Sequence, residues 1–173
     1  MIAIKNILVA TDFSEPADAA LRYGRAFAGP FAATLHVLHV IGDISNFACG
    51  ADGYVASLPD MQRDVENAAR EQLTELLTEQ GVPTPNTRAV LLTSNATAAA
   101  IVDYANRSAI DLIITSTHGR GAVAHLLMGS VAERVVRTAG CPVLTVRHPE
   151  RDFVTAEVVV AGARARTSGS ASA

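Results

Sequence analysis

The stretch "DLIITSTHGRGAVAHLLMGSVAERVVRTAGCPVLTV", residues 111–146, sets two apolar runs around a glycine-punctuated loop and a short helical pattern. The runs, DLIITS (111–116) and PVLTV (142–146), are too short for helices and nearly continuous in apolar residues rather than alternating. Strands buried on both faces of a parallel sheet read in this way. With the helical pattern at 131–139 between them, they make a strand–helix–strand unit. Working outward, the same kind of run recurs as NILVA (6–10), TLHVLHVI (34–41) and RAVLLT (88–93).

Helical patterns fill the gaps. Residues 14–28 start at a candidate N-cap, Ser14, with Glu15 and Pro16 in the first turn and Ala17, Ala20, Leu21 and Ala28 facing inward. A second helix over 58–80 carries Met61, Val65, Ala69, Leu73, Leu76 and Leu77 on its covering face and stops at Gly81. A third, over 97–107, uses Ala100, Ile101, Tyr104 and Ala105. The order βαβαβαβαβ, with right-handed crossovers, predicts an open, doubly wound α/β fold: a five-stranded parallel sheet with helices on both faces.

A chain of 173 residues, 49% hydrophobic, is sized for one domain that buries roughly 70% of its unfolded surface. The net charge is −3, and of the 14 basic residues Lys5 is the sole lysine. No basic block is present to track phosphates, so neither nucleic acid nor a membrane surface is an expected partner. No apolar run reaches the roughly 18 residues of a membrane span, and MIAIKNILVA leads directly into Thr11-Asp12 without a cleavage pattern, so a cytoplasmic location is expected. Cys49 and Cys141 are far apart, outside any CxxC, and read as ordinary thiols. The segment 42–57 lacks periodicity and reads as a surface loop. The main domain is expected to span 1–148. The extension 149–173 holds a candidate sixth strand, FVTAEVVV (153–160), followed by a tail with the composition of disorder.

In open α/β sheets ligands bind beyond the carboxyl ends of the strands, where the strand order reverses. The loop 116–130 follows a strand directly and leads into a helix. Such a helix start, with free N–H groups and the positive dipole end, suits an anion. A second reading is a capping box, Ser130 as N-cap and Glu133 at N3, which stabilises the helix by roughly 1 kcal/mol with no ligand. A Walker A loop is excluded because no G-K-[ST] follows the glycines. GRGAVA (119–124) formally matches G-x-G-x-x-[GA], yet it follows the fourth strand, opens no immediate helix and lacks an acidic residue some 20 positions later. Dinucleotide binding is therefore not expected.

Three stretches, ILVATDFSEPADAALRYG (7–24), LHVLHVI (35–41) and STHGRGAVAHLLMGSVAERVVRTAGCPVLTVR (116–147), resemble the universal stress protein family, in its nucleotide-binding branch, over residues 3–147. The resemblance implies a Rossmann-like sheet of order 3-2-1-4-5, with the switch point between strands one and four, which unites Asp12 with the 116–130 loop. It also implies ATP as ligand, held through a signature G-x-x-G, nine residues, then G-[ST]. Here that signature reads Ser116-Thr117-His118-Gly119, nine residues from Arg120 to Met128, then Gly129-Ser130. By position, Gly119, Gly129 and Ser130 are expected at the phosphates, Ser116 near the ribose, and Val131 and Ala132 at the helix N-terminus. Thr11 and Asp12 border the nucleoside or its metal, Val40 lies against adenine, and Ala10 and Thr115 belong to the same nucleotide-binding set. Two positions depart from the family pattern. Ser116 replaces a glycine, which costs roughly 1–2 kcal/mol if that backbone is left-handed and nothing if it is not. In SNATAAAI (94–101) Asn95 stands where G-x-P-A-x-x-I has its glycine.

Asp12 is the acidic residue that this topology brings to the loop. It suits Mg²⁺ shared with phosphate oxygens, since Mg²⁺ typically takes one or two carboxylates plus phosphate; the alternative is a carboxylate accepting N–H bonds at the start of the first helix. His118 and Arg120 are either phosphate neighbours or solvated loop residues. His36 and His39, three apart in a strand, point to opposite faces and cannot chelate one metal together. No G-x-S-x-G elbow or Ser-His-Asp spacing is present, so no catalytic residue is assigned and at most a weak ATPase is expected. Two functions follow: a nucleotide-binding stress regulator, or a stress protein acting through dimerisation and protein contacts alone. The resemblance also implies a homodimer through the fifth strand, 142–146, whose apolar edge must be covered or paired.

Overall fold

The computed structural model describes residues 2–44, 58–79, 86–119 and 128–147. Its elements are β1 (Asn6–Ala10), α1 (Glu15–Phe31), β2 (Thr34–Ile41), α2 (Leu58–Glu79), β3 (Thr87–Thr93), α3 (Thr97–Arg107), β4 (Leu112–Ser116), α4 (Ser130–Thr138) and β5 (Val143–Val146). The five strands form one sheet of order β3-β2-β1-β4-β5, and every pairing is parallel. This is the doubly wound topology, and it places the reversal of strand order between β1 and β4. Ala10 pairs with Leu38 of β2 and Ser116 with Val146 of β5, so the carboxyl ends of β1, β2 and β4 meet along one edge.

The near-continuous apolar strands are explained by two cores, one on each side of the sheet. Ile7, Val9, Leu35, Val37 and Ile114 pack beneath Ala20 and Leu21 of α1 and Leu73 of α2. Leu8, Leu38 and Ile113 pack beneath Ile101 and Ala105 of α3 and Val135 of α4. Gly24 allows α1 to lie close on β1, because a Cβ there would run into the Val9 side chain.

Several local expectations are corrected. α1 continues past residue 28, through Pro30, and ends at Ala32, whose left-handed backbone (φ 52°) sends its N–H to the carbonyls of Ala28 and Gly29. Met61 and Val65 are exposed, at 51% and 42%, whereas Ala69 and Leu73 of the same stripe are buried. Length explains this: 22 residues of helix span about 33 Å, while the seven residues of β3 span about 23 Å, so the N-terminal turns of α2 overhang the sheet. In α3 the inward face includes Ala98 and Val102 beside Ile101 and Ala105. The capping box at α4 does not form. Gly129 is the N-cap, no side chain caps the helix, and the Glu133 carboxylate pairs with Arg137 at 3.2 Å instead.

The helix stop at Gly81, most of the 42–57 loop, Cys49, Arg120, and the extension 149–173 with its candidate strand lie outside the described residues. Among the described residues no helix is long and apolar enough to cross a membrane.

Candidate functional site

A cleft of about 340 Å³ opens at the carboxyl ends of β1, β2 and β4. From β1 and the turn after it come Ala10, Thr11 and Asp12; from β2, Leu38, His39 and Val40. β4 and the following turn give Thr115, Ser116, Thr117, His118 and Gly119. Gly129, Ser130, Val131 and Ala132 come from the start of α4, and Thr97 and Ile101 from α3. All eleven residues that the sequence pointed to, Ala10, Thr11, Asp12, Val40, Thr115, Ser116, Gly119, Gly129, Ser130, Val131 and Ala132, line this one cleft.

The turn after β1 is wound tightly. The Thr11 N–H donates to the Leu38 carbonyl at 2.9 Å, prolonging the ladder one residue beyond the strand. The Thr11 Oγ1 accepts the Phe13 N–H at 3.1 Å, and the Asp12 Oδ1 accepts both the Ser14 N–H at 3.2 Å and the Ser14 hydroxyl at 2.5 Å. Ser14 thus occupies the N-cap position of α1 but turns its hydroxyl to Asp12 and makes no cap bond. Between the two turns Phe13 adopts a left-handed backbone, φ 60°, a conformation that costs a non-glycine residue on the order of 1 kcal/mol. Its ring lies on that of His39, centroids 4.3 Å apart. The His39 Nδ1–H donates to the Thr11 carbonyl at 2.8 Å, which fixes the tautomer because a carbonyl only accepts.

Opposite Asp12 lies Gly119. A Cβ at 119 would overlap the Asp12 Oδ2, and no left-handed φ is found there, so glycine at this position leaves room for the Asp12 carboxylate, which a larger residue would make shift, and does not serve backbone freedom. The loop that Gly119 opens is closed at its root: the Gly129 N–H donates to the Thr117 carbonyl at 2.7 Å, and the Thr117 N–H donates to the Val146 carbonyl at 2.9 Å. A Cβ on Gly129 would stand 3.3 Å from that Thr117 oxygen, so the close approach also favours glycine. Gly119 and the first turn of α4 therefore face the same space. The N–H groups of that turn have no intrahelical acceptor, and among the described residues no side-chain cap takes them up. The cleft thus has a polar end, made of the Asp12 carboxylate, glycine backbone and a helix N-terminus. Its other end is apolar, made of Val40, Leu38 and Ile101.

Both departures from the family pattern acquire a physical reading. Ser116 is the last residue of β4, buried and paired with Val146. It is not among the non-glycine residues with positive φ, so the left-handed penalty does not arise. Asn95 is not left-handed either; its amide makes two bonds to the backbone of Asp43, at 2.9 and 3.1 Å.

His36 and His39 do point to opposite faces. The His36 Nδ1 meets the Tyr104 hydroxyl of α3 at 2.7 Å, and burial, followed by the Arg88 charge, pushes its pKa below the usual histidine value. Asp18, one turn into α1, has its carboxyl pushed up, chiefly by burial and, against the Arg22 charge, by Asp12 and Glu15. Among the described residues no cluster of three or more His, Cys, Asp or Glu side chains is placed to hold a metal. Asp12 is the one carboxylate in the described lining, a donor set that fits Mg²⁺ when phosphate and water oxygens complete the shell.

The sequence reading missed Leu38, His39, Thr97, Ile101 and Thr117 as lining residues, and named His118 without assigning it to the site. The signal for the β2 residues was available: any residue following Leu38 flanks the end of β1 once strands one and two pair. No short-range signal marks Thr97 and Ile101, because they reach the cleft only through the packing of α3 on the sheet face that α4 also covers.

The chain matches the universal stress protein family over residues 3–147. It is 29% identical over 149 residues to the universal stress protein MJ0531 of Methanocaldococcus jannaschii, covering 86% of this chain and 85% of that protein. It is also 29% identical over 160 residues to MJ0577 of the same organism, covering 84% of this chain and 96% of that protein. The solved MJ0577 structure superposes with a TM-score of 0.72 at 25% identity, over 87% of this chain and all of that one. The universal stress protein of Archaeoglobus fulgidus, solved in complex with dAMP, shares the fold at a TM-score of 0.53 and 20% identity, over 84% of this chain and 99% of that one.

Proposed function

Because the chain belongs to the universal stress protein family, we propose that it is a nucleotide-binding stress regulator that takes ATP, with Mg²⁺, at the switch-point cleft. The observation that carries this reading is the convergence of Asp12, Gly119 and the uncapped start of α4 on one cleft. Phosphates are met there by backbone N–H groups and a dipole end instead of a lysine. Gly119, Gly129 and Ser130, with Val131 and Ala132, hold the phosphates; Thr115 and Ser116 border the ribose; Ala10, Thr11 and Val40 border the nucleoside. Asp12 offers the carboxylate to Mg²⁺, whose role would be to offset phosphate charge. A cleft of about 340 Å³ lies within the range of small-molecule sites, roughly 300–1,000 Å³. The dAMP complex of the A. fulgidus relative supports an adenine nucleotide as the ligand class.

We read the site as a switch: bound ATP favours one arrangement of the loop and hence of a partner surface. We assign it to the cytoplasm and to a homodimer through the β5 edge, 142–146, where Val143, Leu144 and Thr145 are half-buried in the single chain. The domain is taken as 1–148, with 149–173 an appended extension. Calorimetric titration of the full chain with ATP and Mg²⁺, beside Asp12→Ala, tests the site. Saturable binding that loses its Mg²⁺ dependence in Asp12→Ala is the expected result. No heat at millimolar ATP overturns the nucleotide reading and leaves a protein acting through dimerisation and protein contacts.

A further inference from the structure

β2 and β3 run side by side to Ile41 and Thr93, and one further bond, from the Ser94 N–H to the Ile41 carbonyl at 2.8 Å, continues the ladder. There the two chains separate, one into the 42–57 segment and the other into α3. At this parting the Asn95 amide bridges them: its Oδ1 accepts the Asp43 N–H at 2.9 Å and its Nδ2 donates to the Asp43 carbonyl at 3.1 Å. Both backbone groups of one residue are taken by one side chain 52 positions away, as a neighbouring strand would take them. The next N–H, that of Ile44, is held by the Gln62 Oε1 at 3.0 Å.

The position of this bracket matters because of what stands on either side of it. Val40, three residues before Asp43, and Thr97 and Ile101, two and six residues after Asn95, are the walls of the apolar end of the cleft. α3 has no side-chain cap of its own; its approach is fixed by the Ser94 hydroxyl, which accepts the Ala96 N–H at 3.1 Å, and by the Asn95 bracket. We infer that Asn95 is a positioning residue for the base end of the nucleotide site, setting the gap between the end of β2 and the start of α3 into which a flat heterocycle fits. This rests on the nucleotide reading. It adds a residue that touches no ligand, and it gives a role to the asparagine that replaces the family glycine.

The test uses two probes on the full chain, adenosine for the apolar end and inorganic tripolyphosphate for the polar end, with wild type, Asn95→Ala and Asn95→Gly, and thermal unfolding read alongside. Loss of a two-bond bracket is expected to weaken adenosine roughly three- to tenfold in both variants and to leave tripolyphosphate unchanged. ATP should weaken by the same factor as adenosine. A merely structural role would move the two probes together, or move the melting temperature and neither probe; either result overturns the inference while the site stands. A wild-type protein that takes up neither probe overturns the nucleotide reading and this inference with it.

Discussion

Replacing Gly119 by alanine separates a steric role from a conformational one, and its effect can be worked out in advance. The added methyl would occupy the place of the Asp12 Oδ2, so either the carboxylate swings away or the loop is pushed out. Swinging the carboxylate breaks its bonds from the Ser14 N–H and hydroxyl, and it removes the negative charge from the polar end of the cleft. A hydrogen bond to a charged group contributes about 1.5–3 kcal/mol, and each 1.4 kcal/mol is tenfold in affinity. Losing one such interaction with Mg²⁺-ATP should therefore weaken binding roughly ten- to 150-fold. Stability should change little, because the φ at 119 is one that alanine adopts and the stiffer unfolded chain offsets the displaced bonds by about 0.4–1 kcal/mol. The assay is a double-mutant cycle by titration calorimetry: wild type, Gly119→Ala, Asp12→Ala and the pair. In the Asp12→Ala background the methyl has no carboxylate to meet, so Gly119→Ala should then have almost no further effect. Additive losses would refute the argument that glycine at 119 exists to admit Asp12.

Ser116→Gly should tighten ATP by less than about threefold, since the β4 backbone at 116 is already one that serine adopts; a gain above tenfold in calorimetry would show that the serine obstructs the ribose. The lowered pKa of His36 makes stability depend on pH in a set direction. Above about pH 6.5 both the folded and unfolded chains hold it neutral and stability is full; as pH falls below that, the unfolded chain takes up the proton that the buried ring refuses, and stability declines. Urea unfolding at pH 7.5 and 5.0 should show this loss, and His36→Gln should reduce the difference; an unchanged difference would assign it to other groups. Thr145→Lys places a charge on the half-buried β5 edge and should convert the dimer proposed above to monomer at micromolar concentration in sedimentation velocity; a sedimentation coefficient equal to that of the wild type would refute a dimer through this edge.

The fold was legible in the sequence because a sheet covered on both faces leaves little choice of residue. Runs such as NILVA and DLIITS must be apolar at successive positions when Ile7 and Val9 face one core and Leu8 the other, and that continuity distinguishes them from half-exposed strands. Element ends were less legible. Met61 and Val65 keep the spacing of the covering stripe, but a helix longer than the sheet beside it leaves them in solvent. Nothing local encodes the length of a neighbour. At α4, Ser130 and Glu133 satisfy the capping-box spacing, yet the Gly129 N–H is drawn to the Thr117 carbonyl, which fixes Gly129 as the cap and carries the serine one position into the helix. A tertiary bond decided between two local alternatives.

The same competition explains why the polar end of the cleft could be anticipated and its means of support could not. Asp12 and Gly119 are named by motif, but what aims the carboxylate is a left-handed phenylalanine whose conformation no propensity scale would predict. Phe13 is held there by bonds within its own turn and by one contact from β2. Its N–H goes to the Thr11 hydroxyl, its ring lies on His39, and the next residue, Ser14, is tied to Asp12. His39 in turn holds the Thr11 carbonyl. Each is a modest interaction, and together they exceed a strain on the order of 1 kcal/mol. The result is a carboxylate already turned toward Gly119 before any ligand arrives. On the nucleotide reading proposed above, a site without lysine depends on such preorganisation, because backbone dipoles, and a carboxylate that meets phosphate only through Mg²⁺, cannot reach out as a flexible cationic side chain can.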